Sequence, residues 1–303
     1  MHGKFRFPLD GVSVSREEEL PAIDDPLAET NNLRVNPREC LLTVPEVGSF
    51  YAVDGRDVIY SAVPGADPEW VRLYLNGQVL VALLHQRKII SFHASSFVYD
   101  GRGVMILGET GAGKSSVTLA FALNACSDPE TGIAGDGQPG GSNLKPAGFL
   151  TDDLTPVVFE GSSPCIMPLN RKVKIRQDTA EELGIGTESL TEAEAGTGKK
   201  YLSLAPVQMK PFPLGVIVKI ETGQVKEPLF ITPSPAERFS LLRSEVCSWE
   251  MLAGMPETEG AYLHQLVDMV EHTEFIRVQR PAEIGLKEFA SAVREALDRS
   301  WRR

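Results

Sequence analysis

The chain has 303 residues, 42% of them hydrophobic and 23% charged, which is the make-up of a folded globular protein with length for one large core or two modest ones. A formal charge of −11 argues against a nucleic-acid partner, because a phosphate backbone is met by a basic excess. No apolar run approaches the roughly 20 residues of a membrane span, and the opening "MHGKFRFPLDG" carries no apolar leader, so the expected setting is the cytoplasm with no membrane partner.

Short β-favouring runs, "GKFRFPL", "ECLLTVPEV", "SFYAV" and "DVIYSAV", fill the first 65 residues, separated by Pro, Gly, Asp and Asn. They predict a small β-rich region with no readable topology, and the acidic "PAIDDPLAETNN" between them reads as a surface loop. "ADPEWVRLYLNGQVLVALLHQRK" predicts a helix: Asp67 can cap it, Pro68 suits its first position, and Trp70, Leu73, Tyr74, Val81 and Leu84 recur at helical spacing. Gly77 weakens its middle, and Arg87 and Lys88 suit the negative pole. This gives an amino-terminal region over 1–88 and leaves 89–303 as the second domain.

That second domain opens with "IISFHASSFVYDGRGVMILGET", two apolar runs around "YDGRG", which predict a β-hairpin whose second strand feeds a glycine loop. Val117, Phe121 and Ala125 then repeat at helical spacing. Residues 127–146 are rich in Gly and Pro and read as a mobile insertion. "AGFLTDDLTPVVFE" predicts strand, turn and strand; "RKVKIRQDTAEELGI" passes from strand to short helix; "PLGVIVKIE" and "EFIRVQR" are strands; "LKEFASAVREALDRSW" is a final helix. There is no internal repeat. Cys40, Cys126, Cys165 and Cys247 are scattered without a CxxC pair, so they read as small buried side chains and not as a zinc knuckle or disulfide framework.

Three stretches carry chemistry. Gly108-Glu109-Thr110-Gly111-Ala112-Gly113-Lys114-Ser115 fits GxxxxGK[ST], with Ser116 following. Glycines let such a loop close on phosphate oxygens with its N–H groups inward, while Lys114 offers a cation to the outer phosphates and the Ser115 hydroxyl a ligand to Mg²⁺. Asp152 and Asp153 follow "GFLT", downstream of the loop, where phosphoryl chemistry requires a metal-binding acid and a base. The apolar run before them is shorter than in the common motor and switch ATPases. His93 stands on the first hairpin strand, so pairing of the two strands makes it a neighbour of the loop entrance. Arg171, Lys172, Lys174 and Arg176 alternate with apolar residues, either as a solvated face or as contacts to phosphate or substrate; Lys199 and Lys200 are weaker candidates of the same kind.

The order "FHASSFVYDGRGVMILGETGAGKSS", "GFLTDD", "MPLNRKVKI" resembles the catalytic domain of the HPr kinase/phosphorylase family, whose P-loop fold is related to that of phosphoenolpyruvate carboxykinase. The resemblance is strongest over residues 90–176. It implies an α/β P-loop fold carrying a β-rich amino-terminal region, and an ATP- and Mg²⁺-dependent kinase acting on a hydroxyl of a protein, peptide or small molecule. It further implies that the loop amides and Lys114 hold the β- and γ-phosphates and that Ser115 helps bind Mg²⁺. One aspartate, Asp152 in the first instance, would take the acceptor proton; Asp153 would bind metal or orient the acceptor, and His93 would tune the pair. Neighbouring carboxylates titrate together, so sequence leaves that assignment open. The family also leaves room for a homo-oligomer. Two departures bear on the acceptor and on any reverse phosphorylase reaction: the 127–146 insertion, and the absence of the Gly-rich signature that follows in the bifunctional enzymes. A nucleotide-sensing module without phosphotransfer is the competing reading, and an ordinary P-loop hydrolase a third.

Overall fold

The computed structural model describes residues 7–123, 147–169, 172–186, 190–193 and 198–301. The expected insertion at 127–146, Cys126 and Arg171 lie outside the described residues. The fold is mixed α/β with three sheets among the described residues. Two compact units divide the chain: Met1–Ser91 with Val246–Val267, and Phe92–Glu245 with Asp268–Arg303. Val246–Val267 thus joins the first unit, which a division at residue 88 does not anticipate.

In the first unit β1 (Ser13–Arg16), β2 (Ala28–Glu29), β3 (Leu33–Val35), β4 (Glu39–Val44), β5 (Gly48–Val53) and β6 (Asp57–Ala62) form a sheet in the order β1-β6-β5-β4-β3-β2. All neighbours are antiparallel except β1 and β6. "GKFRFPL" supplies no strand among its described residues, while β2 falls inside the stretch expected to be loop. The helix expected after β6 is present as α1 (Pro68–Tyr74) and α2 (Leu80–Gln86), joined by a π-helical turn over Leu75–Val79 that contains Gly77. Asp67 caps it as its residue type predicts, accepting from Glu69 N at 2.9 Å. Leu80–Leu84 are buried, and Gln86 fastens the far end to the sheet, accepting from Gly55 N at 2.7 Å and donating to Ala52 O at 2.9 Å. His85 is buried beside Tyr262, with Nδ1 3.0 Å from the Tyr262 hydroxyl. That hydroxyl donates to Ile89 O at 2.7 Å, so its oxygen is left to accept from His85 Nδ1–H. β7 (Ile90–Phe92) follows.

The second unit is built on β8 (Ser95–Tyr99) and β9 (Arg102–Gly108), the hairpin expected from the sequence. Asp100 and Gly101 both have positive φ, 49° and 74°, as a tight hairpin turn requires. α3 (Lys114–Ala122) follows the glycine loop. Then come β10 (Ala147–Thr151), β11 (Thr155–Glu160), β12 (Ser163–Ile166), β13 (Val173–Arg176), α4 (Gln177–Glu182), β14 (Thr191–Glu192), β15 (Lys199–Leu202), β16 (Phe212–Gly223), β17 (Leu229–Ile231) and α5 (Pro235–Glu245); the 3₁₀ turn (Trp249–Gly254) and most of α6 (Pro256–His272) belong to the first unit, and β18 (Glu274–Pro281) and α7 (Leu286–Ser300) complete the second. The large sheet runs β10-β8-β9-β16-β12-β11, with β18 parallel to β16 and β17 antiparallel to β18. β13, β15 and β14 form a separate three-stranded sheet.

The core on one face of the large sheet fixes the glycine loop from both ends. Val104 and Ile106 precede it, Val117, Ala120 and Phe121 follow it, and Val216, Val218, Phe289, Val293 and Leu297 close over them, all buried. Phe97 stacks on Phe121 at 4.4 Å between ring centroids. Burying each such side chain stabilises by about 1.5–3 kcal/mol, so strand and helix are held firmly where the loop must turn. Cys40 and Cys165 are buried and Cys247 half-buried, none of them in a disulfide.

Candidate functional site

The glycine loop begins where β9 leaves the sheet. Gly108 lies so close to β16 that a Cβ there would stand 2.7 Å from Ile220 O. Gly111 and Gly113 adopt φ of 88° and 104°, where L-residues with side chains are strained. Ala112 N donates to Glu109 O at 3.1 Å, closing the turn, and Val117 N donates to Gly113 O at 2.9 Å, starting the helix. Lys114 is 7% exposed, its Nζ donating to Gly108 O at 2.6 Å and Glu109 O at 3.3 Å. Desolvation holds its pKa below the ordinary lysine value; Glu245, Asp153 and Asp152 oppose that fall and Lys219 adds to it. Ser116 Oγ lies 3.3 Å from Thr179 Oγ1 on α4.

The acid pair sits in the turn between β10 and β11, and the turn treats its two members differently. Thr151 Oγ1 donates to Leu154 O at 2.9 Å and Thr155 Oγ1 donates to Ala94 O at 3.0 Å, tying the turn to itself and to the residue after His93. His93 is not on a hairpin strand, as the sequence suggested, but in the bend between β7 and β8, so strand pairing is not what places it. Asp152 is 2% exposed, and its Oδ1 accepts from the buried Ser95 hydroxyl. Asp153 has φ of 68°, which Asp tolerates better than most residues, and its side chain is 45% exposed. His93 Nε2 stands 3.7 Å from Asp153 Oδ1. The imidazole pKa lies below its usual value, first through desolvation and then through Lys114, with Asp153, Glu245 and Asp152 pulling the other way. At neutral pH His93 is uncharged and its ring can accept a proton.

Three sequence-picked groups therefore come together: the loop with Lys114, the Asp152–Asp153 turn, and His93. The described basic candidates lie in and beside the small sheet. Lys172 lies over the Tyr201 ring at 5.2 Å, Lys174 and Arg176 alternate along β13 opposite Tyr201 and Lys199, and Lys200 pairs with Ile175 in the same sheet. Arg176 also lies 3.4 Å from Asp178.

Four further residues border the site. Ser95 holds Asp152. Arg280, on β18, donates to Ala112 O at 3.2 Å and to Ile284 O at 3.3 Å, and its guanidinium is 5.3 Å from the centre of the Phe289 ring. A Cβ on Gly113 would approach its Nη1 to 2.9 Å, so the loop glycine and the arginine fit each other. Lys219 on β16 and Glu245 at the end of α5 form a buried ion pair. A lysine inside the apolar run "VIVKI" was the one readable signal for these.

No protein-family model matches the chain, and no curated protein matches it. Among solved structures, the HPr(Ser) kinase/phosphatase from Coxiella burnetii is similar over 70% of this chain and 95% of its own, at 13% sequence identity and a TM-score of 0.33. So loose a likeness carries no chemistry to this chain, whose own residues must bear it. Those residues keep the backbone form of a glycine loop: Gly111 and Gly113 hold left-handed φ that a side chain would strain, and Lys114 is buried beside them. Among the described residues no group of three or more His, Cys, Asp or Glu side chains could hold a metal ion. No helix among the described residues is long and apolar enough to cross a membrane.

Proposed function

We propose that this chain is an ATP-dependent phosphotransferase that moves the γ-phosphoryl group to a hydroxyl of a protein, peptide or small-molecule acceptor, as its motifs imply. The supporting observation is the His93–Asp153 pair, 3.7 Å apart beside a buried loop lysine. Holding a nucleotide needs only the loop; a neutral imidazole facing an accessible carboxylate is what removal of a hydroxyl proton needs.

The loop amides and Lys114 bind and orient the outer phosphates. Ser115 and an aspartate would hold Mg²⁺ together with the nucleotide, and the ion would neutralise charge on the phosphates. The acceptor oxygen bonds to the γ-phosphorus as the bond to the bridging oxygen breaks; ADP leaves with that electron pair, and the acceptor proton passes to a carboxylate. Asp153 is the aspartate an acceptor can reach. Asp152, buried against Ser95, serves as a fixed charge, so the order of roles taken first from the motif is reversed here. Positioning and electrostatics supply most of the acceleration.

The test is incubation of a cell extract with the chain and γ-labelled ATP. Label should enter an acceptor with wild type and with Asp152→Asn at reduced rate, and not with Asp153→Asn. ATP bound without any labelled acceptor would leave the nucleotide-sensing reading in its place; rapid turnover without an acceptor would leave a hydrolase.

A further inference from the structure

β16 runs beside the glycine loop and carries a charge in its apolar middle. Lys219 lies between the buried Val218 and Ile220, its side chain 7% exposed, paired with Glu245 at 13%. Removing two charges from water is costly, and apolar residues of similar volume often serve stability equally well or better. Stability therefore gives no reason for this pair.

Its position does. Lys219 is in register with Leu107, the residue before Gly108, whose carbonyl holds Lys114. α5 begins with a capping box in which Glu237 accepts from Ser234 N at 2.8 Å and Ser234 Oγ at 2.7 Å; Glu245 is its last residue. Glu245 O accepts from His93 N–H at 2.9 Å, so the same residue that pairs with Lys219 fixes the His93 backbone. The pair thus stands between the strand that ends at Gly108 and the His93 backbone.

We propose that the Lys219–Glu245 pair is a positioning element of the phosphate site, acting through Lys114: Glu245 compensates the buried lysine before nucleotide arrives, and Lys219 offsets the repulsion between Glu245 and incoming phosphates. This rests on the nucleotide reading but not on phosphotransfer. It requires the two halves of the pair to act on anion binding with opposite sign, which a merely structural ion pair would not do.

Calorimetric titration with ATP and with inorganic tripolyphosphate tests it. Lys219→Gln leaves the Glu245 charge facing the phosphates and should raise both Kd values about tenfold, whereas Glu245→Gln should lower them about threefold, at the effective dielectric of partly buried pairs. Should either variant fail to fold, the reversed pair Lys219→Glu/Glu245→Lys keeps an ion pair while moving its cation to the end of α5 beside the His93 backbone, and its Kd values should fall. Shifts of the same sign in both single variants, or a reversed pair within twofold of wild type, would overturn the proposal and leave the nucleotide reading standing. A wild-type chain that takes up neither ligand would overturn both.

Discussion

His85 and His93 are close in sequence, fall in different units, and both have pKa values lowered first by desolvation, but in different company. His85 is fully buried, hydrogen-bonded to Tyr262, and pushed down to about 4 by burial, with only backbone carbonyls opposing the shift. His93 has a side chain 48% exposed and stands among Lys114, Asp153, Glu245 and Asp152. Burial alone makes a histidine part of the architecture. A ring of charges, with a path to solvent, makes one available for proton transfer. The amino-terminal unit spends its polar groups on holding shape; the second gathers unlike charges around one loop, at a cost to its own stability.

Four measurements can break or sharpen that contrast. The largest effect belongs to Lys114→Ala, which should lower kcat/KM for phosphotransfer about 10⁴-fold with a far smaller change in unfolding free energy, because the hydrogen bonds of its Nζ in the free protein are to two loop carbonyls. Asp153→Asn should slow transfer about 10³-fold, and His93→Ala somewhat less, with ATP Kd held within about threefold; a rise in Kd matching the loss in rate would place these residues in binding instead. His85→Ala should do the reverse, costing about 2 kcal/mol in urea unfolding while ATP affinity stays put. The smallest effect is on pH. A histidine whose folded pKa is depressed contributes stability that is present above its unfolded pKa of about 6.5 and is lost as pH falls towards the folded value. Unfolding free energy should therefore drop by about 1 kcal/mol between pH 7 and 5.5, and His85→Gln should flatten that part of the curve.

What the sequence disclosed was local. The β8–β9 hairpin and the glycine loop were legible because their turn chemistry lies within a few residues, at Asp100–Gly101 and Gly108–Gly113. The helix of the first unit was legible from Asp67 and its apolar spacing, although Gly77 marked a π turn that spacing alone does not foretell. The order of the six-stranded sheet was hidden, because β1 pairs with β6 across the whole meander. So was the return of Val246–Val267 to the first unit, which depends on tertiary packing. At the site, neighbouring aspartates look alike in sequence; only the turn, with Asp153 in a left-handed conformation, decides which is buried. Arg280 and Glu245 gave no signal because their partners lie far along the chain.

The hairpin also sets an order in time. Ser95 pairs with Ile106 across a two-residue turn, the kind of contact that closes in roughly 1–10 μs. β16 must find β9 in parallel over a long intervening segment, and such non-local pairings are slow to form. The hairpin and the phosphate loop thus belong to an early-forming piece of chain, while Lys219, Glu245 and Arg280 are late arrivals, and a nascent chain would carry the motif well before it carried the site.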